Sequence, residues 1–119
     1  MSTDKNSTQS AEDAMAAEWA AALAETKPET ASELTQMMIS VVQAGTGTAA
    51  QIPGVQVAGK TGTAETGVDH LYTAWFVCFA PANDPKVAVA VVLEKQANGF
   101  GGRVSAPIAK ALLQKLLHG

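Results

Sequence analysis

Two apolar segments separated by a proline-bounded link constrain the fold of this chain more than any other sequence feature. The first segment runs from residue 71 to 80 and the second from 86 to 94, and the link at 81–85 begins and ends with proline. Proline cannot donate a hydrogen bond to a neighbouring strand, so the link predicts a hairpin loop. Both segments are apolar at alternate and at intervening positions, which predicts two strands whose two faces are both covered.

A third strand is predicted before this hairpin, because the apolar period changes there from that of a helix to two. One side of this strand would carry Val55, Val57, Gly59, Thr61 and Thr63, and the other side Gln56, Ala58 and Lys60. A polar connection from 66 to 71 joins it to the first apolar segment. The three strands together predict an antiparallel sheet.

Helical periodicity predicts three helices around these strands. The first begins at Ser10, is rich in alanine and ends before Pro28. The second opens with a capping box at Thr30 and stops at Gly45, and the last follows a glycine-rich turn with Ser105 as its N-cap. The buried stripes are predicted to be Leu34, Met37, Met38, Val41 and Val42 in the second helix, and Ile108, Ala109, Leu112, Leu113, Leu116 and Leu117 in the last.

The order of elements is therefore α-α-β-β-β-α, an α/β fold with a three-stranded antiparallel sheet flanked by N- and C-terminal helices. Residues 1–9 are polar and predicted to be a disordered tail. Residues 10–29 form an alanine-rich helix to which the sequence assigns no role. Residues 30–119 form the folded domain.

Composition excludes several classes of function. A net charge of -3 without a dense Lys/Arg cluster argues against binding to nucleic acid or to an anionic membrane. Cys78 is the single cysteine, so no internal disulfide can form, and no metal or other cofactor is predicted. The sequence has no membrane-spanning apolar run and no signal peptide, so a natural start at Met1 would leave the chain in the cytoplasm.

The segment Gly59-Lys60-Thr61-Gly62-Thr63 carries the candidate chemistry. Two glycines within a strand suggest that something approaches the backbone closely. A lysine, two hydroxyls and exposed N–H groups could receive an anion or a developing oxyanion. From the residues alone, an exposed edge strand with a solvated lysine is an equally good interpretation.

Residues 54–61 also match the P-loop pattern G-x-x-x-x-G-K-[ST] letter for letter. A P-loop needs a phosphate-wrapping loop followed by a helix. Here residues 55–58 alternate like a strand, and the residues after Thr61 are a poor start for a helix. Nucleotide binding is therefore a remote alternative.

The segment 59–65 resembles the lysine-threonine-glycine box of the penicillin-binding proteins. Residues 45–47, 57–58, 74–77, 79–81, 87–94 and 106–109 also fall along the chain in the order of that family, so the resemblance covers roughly residues 30–119. The Thr-Ala-Glu ending is similar to that of the monofunctional class B branch. The resemblance implies the C-terminal part of a penicillin-binding/β-lactamase-like transpeptidase domain. It also implies a parent serine D,D-transpeptidase that cross-links peptidoglycan at the extracytoplasmic face of the cytoplasmic membrane.

The resemblance also implies roles for individual residues. Lys60 would assist proton chemistry around the nucleophile and attract the substrate carboxylate, and the backbone N–H of Thr63 would be one of two oxyanion donors. The hydroxyls of Thr61 and Thr63 would hold the terminal carboxylate of a D-Ala-D-Ala stem peptide or of a β-lactam. Gly62 would leave room for that ligand.

The nucleophile box of the family, S-x-x-K, is spelled once in this chain, at Ser2-Thr3-Asp4-Lys5, and the second box, S-x-N, is absent. The single match lies in the polar tail and only a short distance before Lys60, so we interpret it as chance. We therefore expect the chain alone to be inactive.

The expected partner is the remainder of a transpeptidase domain, with self-association through an exposed sheet as the other possibility. A non-enzymatic structural or interaction module with the same sub-fold is the alternative function. A large exposed apolar patch would favour the transpeptidase fragment over that module.

Overall fold

The computed structural model describes residues 3–24, 28–97 and 99–118. The elements are α1 (Thr3–Ala24), α2 (Pro28–Ala44), a 3-10 turn (Thr48–Ala50), β1 (Ala58–Glu65), β2 (Tyr72–Ala80), β3 (Val87–Gln96), α3 (Gly101–Val104) and α4 (Ala106–His118). The strands form one three-stranded antiparallel sheet in the order β1-β2-β3. The predicted α/β class and antiparallel sheet are thereby confirmed.

The first helix extends further than the sequence predicted. It begins at Thr3 and not at Ser10, so residues 3–9 are helical where a disordered tail was expected, and residues 1–2 lie outside the described residues. Extending a helix costs little free energy once the first turn has formed. In addition, the Gln9 side chain donates a hydrogen bond to Asp13, one turn later, at 3.2 Å. The chain divides between Glu33 and Leu34 into two compact units.

The core of the second unit lies between the sheet and α4. Phe76 of β2, Leu113 of α4 and Val42 of α2 are its largest fully buried apolar side chains. Ser105 is buried with them, and its hydroxyl donates to the Ala74 carbonyl oxygen at 2.9 Å. The sequence predicted Ser105 as an N-cap, but in the structure its side chain fastens the start of α4 to β2.

The prediction that both faces of the sheet are covered holds for only part of the second face, where Ile39 of α2 packs with Ala58 and Phe79. Trp75, Val77 and Val92 remain 43%, 38% and 39% exposed, whereas the alternate residues Ala74 and Phe76 are fully buried. Successive side chains of a strand point to opposite faces, so one face packs under α3 and α4 while these residues face outward. An apolar run along a strand reports the character of its residues and not whether a partner covers them.

The apolar stripe of α4 is likewise only partly buried. Ala109 and Leu113 are buried against the sheet, whereas Ile108, Leu112 and Leu116 are exposed. A helix can present a stripe wider than its single contact surface. The prediction that all these residues are buried is therefore wrong for three of them.

The buried face of α2 also differs from the predicted one. Ile39 and Val42 are buried, while Leu34 and Met37 are exposed. The helix begins at Pro28, so the predicted capping box at 30–33 falls inside its first turns. No helix among the described residues is both long and apolar enough to cross a bilayer.

Candidate functional site

Lys60, Thr61, Gly62 and Thr63 lie in the middle of β1, an edge strand that pairs only with β2. The P-loop alternative is wrong, because this segment is a strand and is followed by a turn and by β2, not by a helix. An edge strand keeps half of its backbone N–H and C=O groups available to a ligand. The predicted site residues therefore lie on an open edge of the sheet.

The threonines and the lysine of β1 point to opposite faces of the sheet. Thr61 pairs with Phe76 and Thr63 pairs with Ala74, and both partners turn their side chains to the face that carries α3 and α4. Directly paired residues share a face, so the threonine hydroxyls lie on that side and the Lys60 side chain lies on the other. The Oγ1 atoms of Thr61 and Thr46 are hydrogen-bonded at 2.6 Å, and the Gly101 N–H donates to Thr63 Oγ1 at 3.4 Å.

The Lys60 side chain reaches the unpaired edge of β1. Its Nζ donates to the carbonyl oxygen of Thr61 at 2.6 Å, and we infer from this contact that the oxygen is turned away from β2. The N–H and C=O groups of one strand residue point the same way, and the direction repeats every second residue. By this alternation, Thr61 and Thr63 both direct backbone polar groups to the free edge.

The two glycines of the segment have different surroundings. A Cβ on Gly59 would lie 2.6 Å from Cζ of Phe76, so the buried ring of Phe76 is what approaches the backbone there. A Cβ on Gly62 would meet nothing closer than the Trp75 Cβ, at 3.4 Å. Core packing therefore requires the first glycine, whereas the second leaves open space beside the strand.

The helix α3 packs against β1 and β2 through a pair of glycines. A Cβ on Gly101 would lie 2.0 Å from the Trp75 carbonyl oxygen, and one on Gly102 would lie 2.0 Å from the Thr46 carbonyl oxygen. These are backbone atoms, and displacing them would disrupt the close packing of the sheet. The sequence predicted only a glycine-rich turn here, because the partner atoms lie tens of residues away in the chain.

A groove of about 360 Å³ lies between β1 and α3. It is lined by Thr46, Thr48, Thr61, Thr63, Phe100, Gly101, Gly102 and Arg103. A larger depression of about 460 Å³ lies at the end of α2 and includes none of residues 59–63. We take the smaller groove as the candidate site, because four hydroxyl-bearing residues and a cationic side chain line it together.

The remaining candidate side chains lie apart from this groove. His70 and Asp69, whose Nε2 and Oδ2 atoms are 3.8 Å apart, occupy the exposed turn after β1. His118 lies in the last turn of α4 and is also exposed. Neither histidine lines the groove.

Cys78 is buried, and we expect its thiol to react slowly with alkylating and disulfide reagents in the folded chain. Burial raises the pKa of this thiol from 9.0 to about 11, against a smaller lowering by a backbone hydrogen bond at Val89. At pH 8 the thiolate fraction would be roughly a hundredfold lower than for an unperturbed thiol. Ellman's reagent should label the chain fully in denaturant and only slowly without it, and equal rates would contradict this.

Comparison with known proteins finds a matching family model and several similar relatives. The family model of the penicillin binding protein transpeptidase domain matches residues 11–114, a match that includes most of α1. The peptidoglycan D,D-transpeptidase PbpA of Mycobacterium tuberculosis is 45% identical over 98 residues, which cover 77% of this chain and 20% of that protein. The probable peptidoglycan D,D-transpeptidase PenA of Neisseria gonorrhoeae is 42% identical over 95 residues, covering 73% and 16%.

Solved structures of transpeptidases also resemble this chain. The transpeptidase domain of FtsI4 from Legionella pneumophila superposes with a TM-score of 0.69 at 33% identity, covering 76% of this chain and 36% of that one. The ceftriaxone acyl-enzyme complex of penicillin-binding protein A from M. tuberculosis gives a TM-score of 0.67 at 42% identity, covering 75% and 21%. The chain thus spans about a fifth of the length of the curated relatives it matches.

Proposed function

This chain belongs to the penicillin-binding protein transpeptidase domain family, and from that premise we propose that β1 is the carboxylate-binding strand of a D,D-transpeptidase active site. One observation carries the proposal. Thr61 and Thr63 both line an open groove beside an edge strand that pairs with a neighbour on one side only. Such an edge can hold an extended peptide by main-chain hydrogen bonds while its side chains read the end of that peptide.

The proposed ligand is the D-Ala-D-Ala end of a peptidoglycan stem peptide, or a β-lactam that mimics it. The Thr61 and Thr63 hydroxyls donate to its terminal carboxylate, and Gly62 leaves room beside the strand. The backbone N–H of Thr63 serves as an oxyanion donor when the scissile carbonyl is attacked. One such donor lowers the barrier by about 3 kcal/mol in enzymes where it has been removed.

Lys60 has a separate role in this proposal. Its side chain leaves β1 on the face opposite the threonine side chains, and its ammonium group donates to the Thr61 carbonyl oxygen. There it assists proton transfer around a serine nucleophile that residues other than these 119 supply. Peptidoglycan cross-linking by the whole protein would take place at the outer face of the cytoplasmic membrane.

The remainder of a transpeptidase domain is the proposed partner of this segment. Two apolar surfaces support it: the outward face of β2 and β3, with Trp75, Val77 and Val92, and the stripe of Ile108, Leu112 and Leu116 on α4. Groups of exposed large apolar side chains of this kind favour contacts with other protein parts. They also disfavour the alternative of a self-sufficient, non-enzymatic module.

A nuclear magnetic resonance titration of the isotope-labelled chain tests the proposal. We expect N-acetyl-D-Ala-D-Ala to shift the amide signals of Thr61, Thr63 and Gly102, because its carboxylate enters the groove. The same dipeptide with its C-terminus converted to an amide is the matched control, and it should leave those signals unchanged. Equal shifts with both ligands, or shifts confined to the larger depression near α2, would contradict carboxylate binding at β1.

A further inference from the structure

We propose that Arg103 is a substrate-binding residue of this site, whose guanidinium group pairs with the carboxylate held by the hydroxyls of Thr61 and Thr63. The inference rests on the proposed function and adds the cation that completes it. Nothing in the lysine-threonine-glycine segment itself points to this residue, which follows 40 positions after Thr63.

The direction of the Lys60 side chain creates the need for a second cation. Lys60 projects to the sheet face opposite the threonine hydroxyls, and its Nζ donates to the Thr61 carbonyl oxygen. A carboxylate that both hydroxyls hold would lie on the groove side of the strand, whereas the Lys60 ammonium is at the strand edge and already bonded to the Thr61 carbonyl oxygen. The cationic side chain that shares the groove with those hydroxyls is Arg103.

The charge environment of Arg103 fits a ligand that brings its own negative charge. No acidic residue lines the groove. Within the described part of the chain, Arg103 forms no ion pair, whereas Lys86 pairs with Asp84 at 2.9 Å. The planar guanidinium offers two parallel N–H donors to a carboxylate, a geometry that lysine cannot reproduce.

The fold fixes the place of Arg103 at the groove. It follows Gly101 and Gly102, whose backbones lie against the carbonyl oxygens of Trp75 and Thr46 without room for a Cβ. Contacts with the sheet region also hold the chain before and after this segment. Phe100 stacks on Tyr72 with ring centroids 6.4 Å apart, and the Ser105 hydroxyl is bonded to β2. A segment anchored at both ends presents its exposed side chain from a set position, which lowers the entropy lost on binding.

The test compares dissociation constants from the same titration for three variants. Arg103→Gln should weaken binding of N-acetyl-D-Ala-D-Ala roughly fivefold to tenfold, the effect of one exposed charge-assisted pair. The dissociation constant of Arg103→Lys should lie between those of Arg103→Gln and of the parent chain. Lysine keeps the positive charge but does not offer two parallel N–H donors. Lys115→Gln, an exposed residue of α4 with the same change in net charge, should alter the constant less than twofold.

The outcomes separate this inference from the function on which it rests. If the parent chain binds the acid in preference to the amide and Arg103→Gln binds it equally well, Arg103 is not part of the site and the carboxylate-binding strand stands. If Lys115→Gln weakens binding as much as Arg103→Gln, long-range charge is responsible and the inference is wrong. If the parent chain does not distinguish acid from amide, both are wrong.

Discussion

Replacing Leu113 by alanine should lower the free energy of unfolding by about 3 kcal/mol, whereas the same change at Leu112 should lower it by less than about 1 kcal/mol. The two leucines are neighbours on α4 and chemically identical. Leu113 is completely buried in the core and Leu112 is 43% exposed. Truncating the first removes apolar contacts and leaves a cavity, whereas truncating the second removes atoms that water already reaches. Urea denaturation followed by circular dichroism measures both values.

Protein concentration is the control for this pair. Leu112 belongs to the exposed stripe of α4, so association between molecules could stabilise the parent chain and exaggerate the effect of Leu112→Ala. Values obtained at two concentrations differing tenfold should agree if only folding is measured. Equal losses for the two variants at low concentration would mean that Leu112 is buried as well, and that the exposed surface of α4 is misassigned.

The alternation of residues was sufficient to predict the sheet and the strand that carries the candidate site. Period-two alternation around Lys60 and the proline-bounded loop at 81–85 are local signals, and local signals predict elements. The same reasoning failed for the burial of Trp75 and Leu112. Their exposure depends on which other elements pack against them, and the neighbouring residues in the sequence do not determine that packing.

Tertiary contacts also explain what the sequence could not show about the site. Thr61 and Thr63 were identifiable from the lysine-threonine-glycine segment, but Gly102 and Arg103 join them only after the chain has turned through β2 and β3. The close approach of Gly102 to Thr46 brings together residues 56 positions apart. The glycine pair before Arg103 was the available signal, because adjacent glycines can mark close backbone contact as well as a turn.

The two glycines of β1 serve different purposes, one in core packing and one in leaving open space, although the sequence suggested a single reason for both. Gly59 is required by the ring of Phe76, so it belongs to the core. Gly62 pairs with Trp75, so the space left by its missing side chain lies on the outward face, where a ligand bound along the strand edge has room. A strand with one packed and one open glycine can be rigid and accessible at once. This combination suits a binding edge, because a rigid edge loses little entropy when the ligand is ordered.

Replacing Gly101 by alanine should lower the free energy of unfolding by about 3 kcal/mol, because its Cβ would lie 2.0 Å from the Trp75 carbonyl oxygen and 2.9 Å from that of Gly62. Both obstacles are backbone atoms of paired strands, so α3 must move away from the sheet. The same substitution at Gly62 is the matched control, since its Cβ would stand at an ordinary 3.4 Å from Trp75 and should change stability by less than about 1 kcal/mol.

The Gly101→Ala variant also tests whether α3 forms a wall of the carboxylate site. Displacement of α3 would break the hydrogen bond from the Gly101 N–H to Thr63 Oγ1 and carry Arg103 away from the threonines. Below its melting temperature the variant should therefore remain folded by circular dichroism, yet lose the preference for N-acetyl-D-Ala-D-Ala over its amide. A folded variant that keeps the full preference would mean that the carboxylate is bound without α3, by groups of β1 alone.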